Sequence, residues 1–115
     1  MQISVTGRHM EITDAIRDHA HEKVQQALAD FPRVESVHVI LAVEKYRHIA
    51  EVVVAAPAHI RLEARHESDN MYASIDGAAE KAAKQLRKAW DRMQERKTRE
   101  RLTDVEVRPQ ASEEA

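Results

Sequence analysis

Four cationic side chains recur along one predicted helix at steps of three and four residues. They are Lys81, Lys84, Lys88 and Arg92, and at ~100° per residue they fall in one narrow stripe. A row of fixed cations raises the positive potential at the place where a polyanion docks, which favours the binding of nucleic acid. The alternative interpretation is a solvated helix face, because lysine and arginine favour helices and keep proteins soluble.

The charge of the chain is concentrated around this stripe. Residues 78–102 hold nine Lys and Arg against four Asp and Glu, whereas residues 1–77 hold eight against twelve and residues 103–115 hold one against four. The formal net charge of −2 therefore conceals a basic helix between two acidic segments.

A second stripe on the same segment predicts how the cations are held in place. Apolar residues recur there at helical spacing, more than a third of a turn away from the cations. They are Met71, Ile75, Ala79, Ala82, Leu86, Trp90 and Met93. We therefore expect a helix from about Met71 to Arg101 that packs through its apolar face, with Gly77 as a close-packing position. Its length of ~46 Å exceeds what a domain of this size covers, so its far end should protrude or fray.

Shorter patterns predict the remaining elements. Residues 2–6 alternate as a half-buried strand, Gly7 opens a connection, and Thr13 caps a helix that Pro32 closes. Further strands are predicted over 37–43, 50–55 and 60–65, with a polar loop at 44–48 and a tight turn at 56–59. The order βαβββα predicts an α+β fold: two layers, with a four-stranded mixed sheet and both helices on one face. We assign one domain to residues 1–102 and an acidic, disordered tail to residues 103–115.

Composition argues against several other kinds of site. The chain has no cysteine, and its seven histidines include no His-x-x-x-His pair, so we expect no metal and no other cofactor. Two glycines are too few for a phosphate-binding loop. Gly7-Arg8-His9 faintly echoes an acylphosphatase turn, which leaves a small hydrolase as the weak enzymatic alternative. With no signal peptide and no apolar run of ~20 residues, we expect a cytoplasmic protein without membrane contact.

Three separated motifs resemble the ribosome hibernation promoting factor family. They are MEITDAIR at 10–17, VEK at 43–45 and NMYASID at 70–76, the last followed by the basic stripe. The motifs occur in order and in register across residues 1 to about 97. The family includes the ribosome-associated inhibitor and proteins once labelled sigma-54 modulation proteins. One position differs from the family pattern. The family usually has aspartate before the Met-Tyr pair, whereas this chain has Asn70, which can also cap a helix.

The resemblance implies a translation inhibitor that catalyses no reaction. The family has a βαβββα fold similar to a double-stranded-RNA-binding domain, and it binds the small ribosomal subunit near the decoding centre, overlapping the places of mRNA and tRNA. It implies a protein that is monomeric off the ribosome, takes no small-molecule substrate, and inactivates ribosomes in stress or stationary phase. The residues it implies for contact with ribosomal RNA are Lys81, Lys84 and Lys88, then Arg92 on the same stripe, and Arg17, Lys23 and Lys45 at further basic positions of the family.

Two alternatives stay open from the sequence. Some short members of the family pair ribosomes, whereas others carry an acidic extension and hold single ribosomes, and the segment after Thr103 leans toward the second type without deciding between them. A function of another class is a protein-interaction module, of the transcription-modulator type, whose basic helix docks on an acidic partner.

Overall fold

Four strands and two helices follow one another in the predicted order. The computed structural model describes the backbone of residues 1–106 and the side chains of residues 1–95. The elements are β1 (Gln2–Arg8), α1 (Asp14–Ala27), β2 (Ser36–Glu44), β3 (Arg47–Ala56), β4 (Ile60–Ser68) and α2 (Met71–Glu106). The sheet has the order β1-β2-β3-β4, with β1 parallel to β2 and the next two pairs antiparallel. The predicted α+β fold is confirmed.

One face of the sheet carries the core. The register places Val39 of β2 beside Val5 of β1 and Val52 of β3, and Val52 beside Ala64 of β4, so these side chains share a face of the pleat. Both helices cover that face. Their buried side chains are Ala20, Val24 and Leu28 from α1, and Met71, Ile75, Ala78, Ala79, Ala82 and Leu86 from α2. The predicted apolar stripe of the last helix is therefore confirmed up to Leu86, and Trp90 and Met93 continue it as half-buried residues.

Several element boundaries differ from the sequence-based prediction. β1 continues through Gly7 to Arg8, and the predicted loop at 44–48 shrinks to two residues because Glu44 pairs with Arg47 across the hairpin. Charged side chains at a strand end point to solvent, while their backbone extends the ladder, and a hydrophobicity pattern cannot detect this. α1 ends at Ala27, with Leu28 as its C-cap.

The far end of α2 also extends beyond its predicted limit. The helix runs to Glu106, so the predicted tail boundary at 103 lies inside it. Residues 107–115, the rest of the predicted tail, lie outside the described residues. The last fully buried side chain of the helix, among those described, is Leu86, so the backbone of α2 continues well past the core that supports it.

Gly77 allows α2 to approach β4 closely. A methyl group in place of its hydrogen would lie 2.5 Å from Cδ2 of the His66 ring, well inside van der Waals contact. His66 stands on the helix-facing side of β4, opposite Ala50. The predicted close-packing position is confirmed, and its packing partner is an imidazole.

Asn70 starts α2. Its Oδ1 accepts hydrogen bonds from the backbone N–H groups of Tyr72 and Ala73, at 2.8 and 3.3 Å, which satisfies donors that have no partner within the helix. The buried hydroxyl of Ser74 donates to the His48 carbonyl at 2.6 Å, and this bond ties the first turn of the helix to β3. Thr13 caps α1 in the same way, as predicted, by accepting from the N–H of Ile16.

We expect Gly77→Ala to lower the free energy of unfolding by about 1–3 kcal/mol, because the added methyl must displace the His66 ring. In a His66→Ala background, the same substitution should stabilise the protein by up to about 1 kcal/mol, the helix preference of alanine over glycine. Denaturant unfolding of the four proteins of this cycle measures both effects. Equal effects in the two backgrounds would show that His66 does not limit the approach of α2.

We expect Asn70→Ala to cost about 1 kcal/mol of stability through loss of the helix cap. Asn70→Asp should leave the stability unchanged or raise it, because an anion at the helix N-terminus also accepts these bonds and interacts favourably with the helix dipole. Asp69→Ala is the matched control, expected to change stability by less than about 0.5 kcal/mol. A loss at Asp69 as large as that at Asn70 would contradict this assignment of the cap.

Candidate nucleic-acid interface

The two flanks of α2 have different neighbours. On one flank Asp76, Glu80 and Arg87 contact residues of α1 or the turn that follows it. On the other flank Lys81 donates from Nζ to the Arg65 carbonyl of β4, at 2.9 Å. Because side chains at steps of three and four residues are neighbours on a helix surface, Lys84, Lys88 and Arg92 continue the row that Lys81 begins.

The flank that faces α1 is closed by three polar pairs. His19 Nε2 lies 2.7 Å from Asp76 Oδ1, and Lys23 Nζ lies 3.6 Å from Glu80 Oε2. The last pair joins the Arg87 guanidinium to the Asp30 carboxylate at 3.2 Å, and this guanidinium also lies over the Phe31 ring. The first and last pairs have the same sequence separation of 57 residues. The two helices therefore run parallel, and polar groups of α2 meet partners on α1 or the turn after it along the seam.

The flank that faces β4 is cationic and open to solvent. Lys81, Lys84, Lys88 and Arg92 are all exposed, and we call these four residues the basic flank. Within the described side chains, Lys84, Lys88 and Arg92 form no ion pair. Lys81 likewise meets no carboxylate among these side chains, and its Nζ donates to a neutral backbone carbonyl. Asp91 and Glu95 are exposed, and each lies about one helical turn from a cation of the basic flank. Their carboxylates lower the positive electrostatic potential at the Arg92 end of the flank.

The other predicted contact residues lie elsewhere. Lys23 is only 26% exposed and is engaged by Glu80 between the helices. Arg17 pairs with Asp14 within α1 at 3.2 Å, as expected for a local helix pair worth a few tenths of a kcal/mol. Lys45 stands at the tip of the β2–β3 hairpin with a left-handed φ of 57°. The structure thus brings four of the seven predicted residues into one row and leaves the other three apart from it.

The structure adds one residue that the sequence analysis did not single out. Tyr46, beside Lys45 at the hairpin tip, is 88% exposed. A signal was present in the sequence, because the segment Lys45-Tyr46-Arg47 sets an aromatic residue between two basic ones within a predicted polar loop. The sequence predicts a loop over residues 44–48, whereas the observed tip has only two residues, and Tyr46 is one of them.

Other kinds of site receive little support from the geometry. Gly7 and Arg8 are the last residues of β1, and the chain bends only from His9, whose φ is 57°, so the glycine of the faintly resembling segment lies in a strand and not in the bend. In the part of the chain that the structure describes, no three His, Asp or Glu side chains are grouped closely enough to hold a metal ion. Likewise, none of the described helices has the length and apolar composition needed to cross a bilayer.

Comparison with known proteins agrees with the motifs. Residues 3–94 match the family described as sigma 54 modulation protein / S30EA ribosomal protein. The ribosome hibernation promoting factor of Azotobacter vinelandii is 36% identical over 108 residues, which cover 93% of this chain and 99% of that protein. The factor of the same name from Escherichia coli K12 is 36% identical over 98 residues, 83% of this chain and 99% of the other.

Solved structures show the same architecture. A ribosomal subunit interface protein from Coxiella burnetii superposes with a TM-score of 0.74 at 27% identity, over 79% of this chain and 99% of that one. The N-terminal domain of protein Y from Thermus thermophilus superposes with a TM-score of 0.69 at 30% identity, over 76% of this chain and 98% of the other. Sequence motifs, fold and full-length matches agree, and the chain belongs to the sigma 54 modulation protein / S30EA ribosomal protein family.

Proposed function

We propose that this chain is a ribosome hibernation factor that binds the small subunit through ribosomal RNA near the decoding centre. Bound there, it excludes mRNA and tRNA and inhibits translation in stress or stationary phase. The observation that carries the proposal is the basic flank, four exposed cations on one side of a rigid helix. The names of the relatives, which are hibernation promoting factors, support the cellular role.

The geometry of the basic flank suits an RNA backbone. Lys81 and Arg92 are eleven residues apart in the sequence, so the row spans about 16 Å of helix. Each ammonium or guanidinium group that neutralises a phosphate releases condensed counterions, and this release supplies most of the affinity. Structured RNA is recognised largely by shape and backbone, for which a straight row of cations on one rigid element is well suited.

Contact with the phosphates costs little reorganisation. Lys84, Lys88 and Arg92 have no carboxylate partner to exchange among the described side chains, in contrast to Lys23, which would have to leave Glu80. A cation already paired with a carboxylate gains less from a phosphate. We therefore rank Lys84, Lys88 and Arg92 as the principal contacts, Lys81 next, and the paired residues Lys23 and Arg17 as secondary ones. Lys45 lies apart from this row, at the tip of the β2–β3 hairpin.

Inhibition requires only occupancy. A protein that fills the channel near the decoding centre competes with mRNA and tRNA, so no bond is made or broken and no catalytic group is required. Ribosomes remain intact and return to translation when the factor dissociates. Because the affinity is mainly electrostatic, ionic conditions shift this equilibrium.

We expect the purified protein to sediment with isolated small subunits and not with large subunits, and to be released as salt rises. Four phosphate contacts predict a slope of log Kobs against log[KCl] near −3, and Lys84→Ala with Lys88→Ala should reduce its magnitude by about 1.5. Fluorescence titration over a range of KCl concentrations measures the slope. Lys84→Arg with Lys88→Arg is the charge-preserving control and should keep the wild-type slope. If the protein fails to sediment with small subunits at low salt, the proposal is contradicted.

We expect Lys84→Glu with Lys88→Glu to abolish inhibition of cell-free translation, since two phosphate contacts become repulsive. Arg8→Glu with Arg61→Glu, on the sheet face away from the helices, imposes the same change of net charge and should leave inhibition intact. Both variants alter exposed side chains and should retain stability within about 1 kcal/mol. Equal loss of inhibition in the two variants would assign the effect to net charge rather than to the basic flank.

The alternative partner is an acidic protein, and RNase treatment of the native complex distinguishes the two. Digestion of the RNA should release the protein if ribosomal RNA holds it. A complex that survives complete digestion would instead favour a protein-interaction module.

A further inference from the structure

We propose that Tyr46 is a second RNA contact, and that its ring stacks on an unpaired base of the RNA that binds the basic flank. The inference rests on the proposed function and adds to it a contact of a different chemical kind. It joins three observations, which are the exposure of the ring, the fixed geometry of the tip that carries it, and the charges beside it.

The exposure of Tyr46 is unusual for the aromatic side chains of this chain. Phe31 is buried, Trp90 is half-buried, and Tyr72 lies edge-on against the His19 ring at a centroid distance of 5.0 Å. Tyr46 is 88% exposed, so its ring contributes almost nothing to the core. Both faces of the ring are open to a planar partner, and stacking on an aromatic side chain is the common way in which proteins bind unpaired bases.

The tip that carries the ring is held in place. Glu44 and Arg47 close a two-residue hairpin, in which Lys45 adopts a φ of 57°. That conformation suits glycine or asparagine and is unfavourable for a lysine, so the surrounding hairpin must hold it. The Arg47 guanidinium spans the Glu44 and Glu67 carboxylates, at 3.0 and 3.4 Å. Tyr46 therefore projects from a braced tip, so little backbone entropy is lost when its ring stacks.

The charges around the ring favour RNA over an apolar protein groove. Arg47 is paired with Glu44 and Glu67, and Glu67 also contacts Arg65 at 3.2 Å. Lys45, in contrast, has no ion pair within residues 1–95. An aromatic ring beside one free cation provides a stacking surface for a base and a contact for its phosphate. An apolar groove would gain nothing from burying Lys45.

The hairpin is coupled rigidly to α2. Ser68 of β4 lies opposite His48 of β3, and Ser74 in the first turn of α2 donates to the His48 carbonyl. Lys81 follows Met71 by ten residues, about 15 Å along the helix. Tyr46 and the basic flank are thus two fixed points on one body, and one folded RNA with a phosphate groove and a nearby unpaired base can touch both.

The test compares the affinities of Tyr46→Ala, Tyr46→Phe and the wild type for small subunits at one salt concentration. Loss of one stacked base predicts roughly 5- to 150-fold weaker binding for Tyr46→Ala, with Tyr46→Phe within about 2-fold of the wild type, the tolerance expected of a stacking contact. The salt slope should not change in Tyr46→Ala, because stacking releases no counterions. Lys45→Ala is the matched neighbour, which should lower the magnitude of the slope.

The outcomes separate the two proposals. If the wild type binds and Tyr46→Ala binds equally well, the stacking contact is refuted and the proposed function stands. If the wild type does not bind small subunits, both fail. A photoreactive phenylalanine analogue at position 46 identifies the partner: a cross-link that RNase removes supports stacking on RNA, and one that only protease removes assigns the tip to a ribosomal protein and overturns the inference.

Discussion

The close seating of α2 on the sheet determines where every charge of that helix points. Its buried face is built largely from small residues, with Ala78, Ala79 and Ala82 between Ile75 and Leu86, and Gly77 admits the His66 ring beside them. Small side chains bring the helix axis close to the strands, which fixes its rotation. Once the rotation is fixed, the steps of three and four residues assign each polar position to one flank or the other.

The polar pairs between the helices engage the charged groups on the flank of α2 that faces α1. The cations of the other flank have no such partners among the described side chains. Asp76, Glu80 and Arg87 each meet a group of complementary charge or hydrogen-bonding capacity on or just after α1. These pairs are partly exposed, so each contributes little to stability. Their larger effect is on the distribution of charge, because Glu80 and Arg87 have partners within the molecule. The basic flank, which faces away from α1, therefore remains available to a phosphate backbone.

Sequence patterns were sufficient for the fold and for the composition of the basic flank, because both are periodic along the chain. Alternation identified all four strands, and the helical spacing of cations against apolar residues placed Lys81, Lys84, Lys88 and Arg92 together.

The patterns could not show that Lys23 is engaged by Glu80, since its partner lies on another helix. They also missed the two-residue tip at Tyr46, because strand ends occupied by charged residues resemble loops. The end of α2 was placed too early for a similar reason, since the core pattern stops before the helix does.

Under the proposed function, the acidic outer face of α1 would orient the molecule on RNA. The outward face of α1 exposes Asp14, Asp18 and Glu22, and the whole chain has a formal net charge of −2. Long-range attraction to RNA is therefore weak, and a phosphate backbone that approaches α1 is repelled. Favourable energy is gained only when the basic flank makes close contact while the outer face of α1 stays in solvent. A phosphate surface that meets the basic flank alone satisfies this condition, whereas one that also reaches the outer face of α1 does not. Under the proposed function, the charge distribution of this fold would therefore discriminate between docking orientations on RNA, by penalising an approach through α1 as well as favouring one through the basic flank.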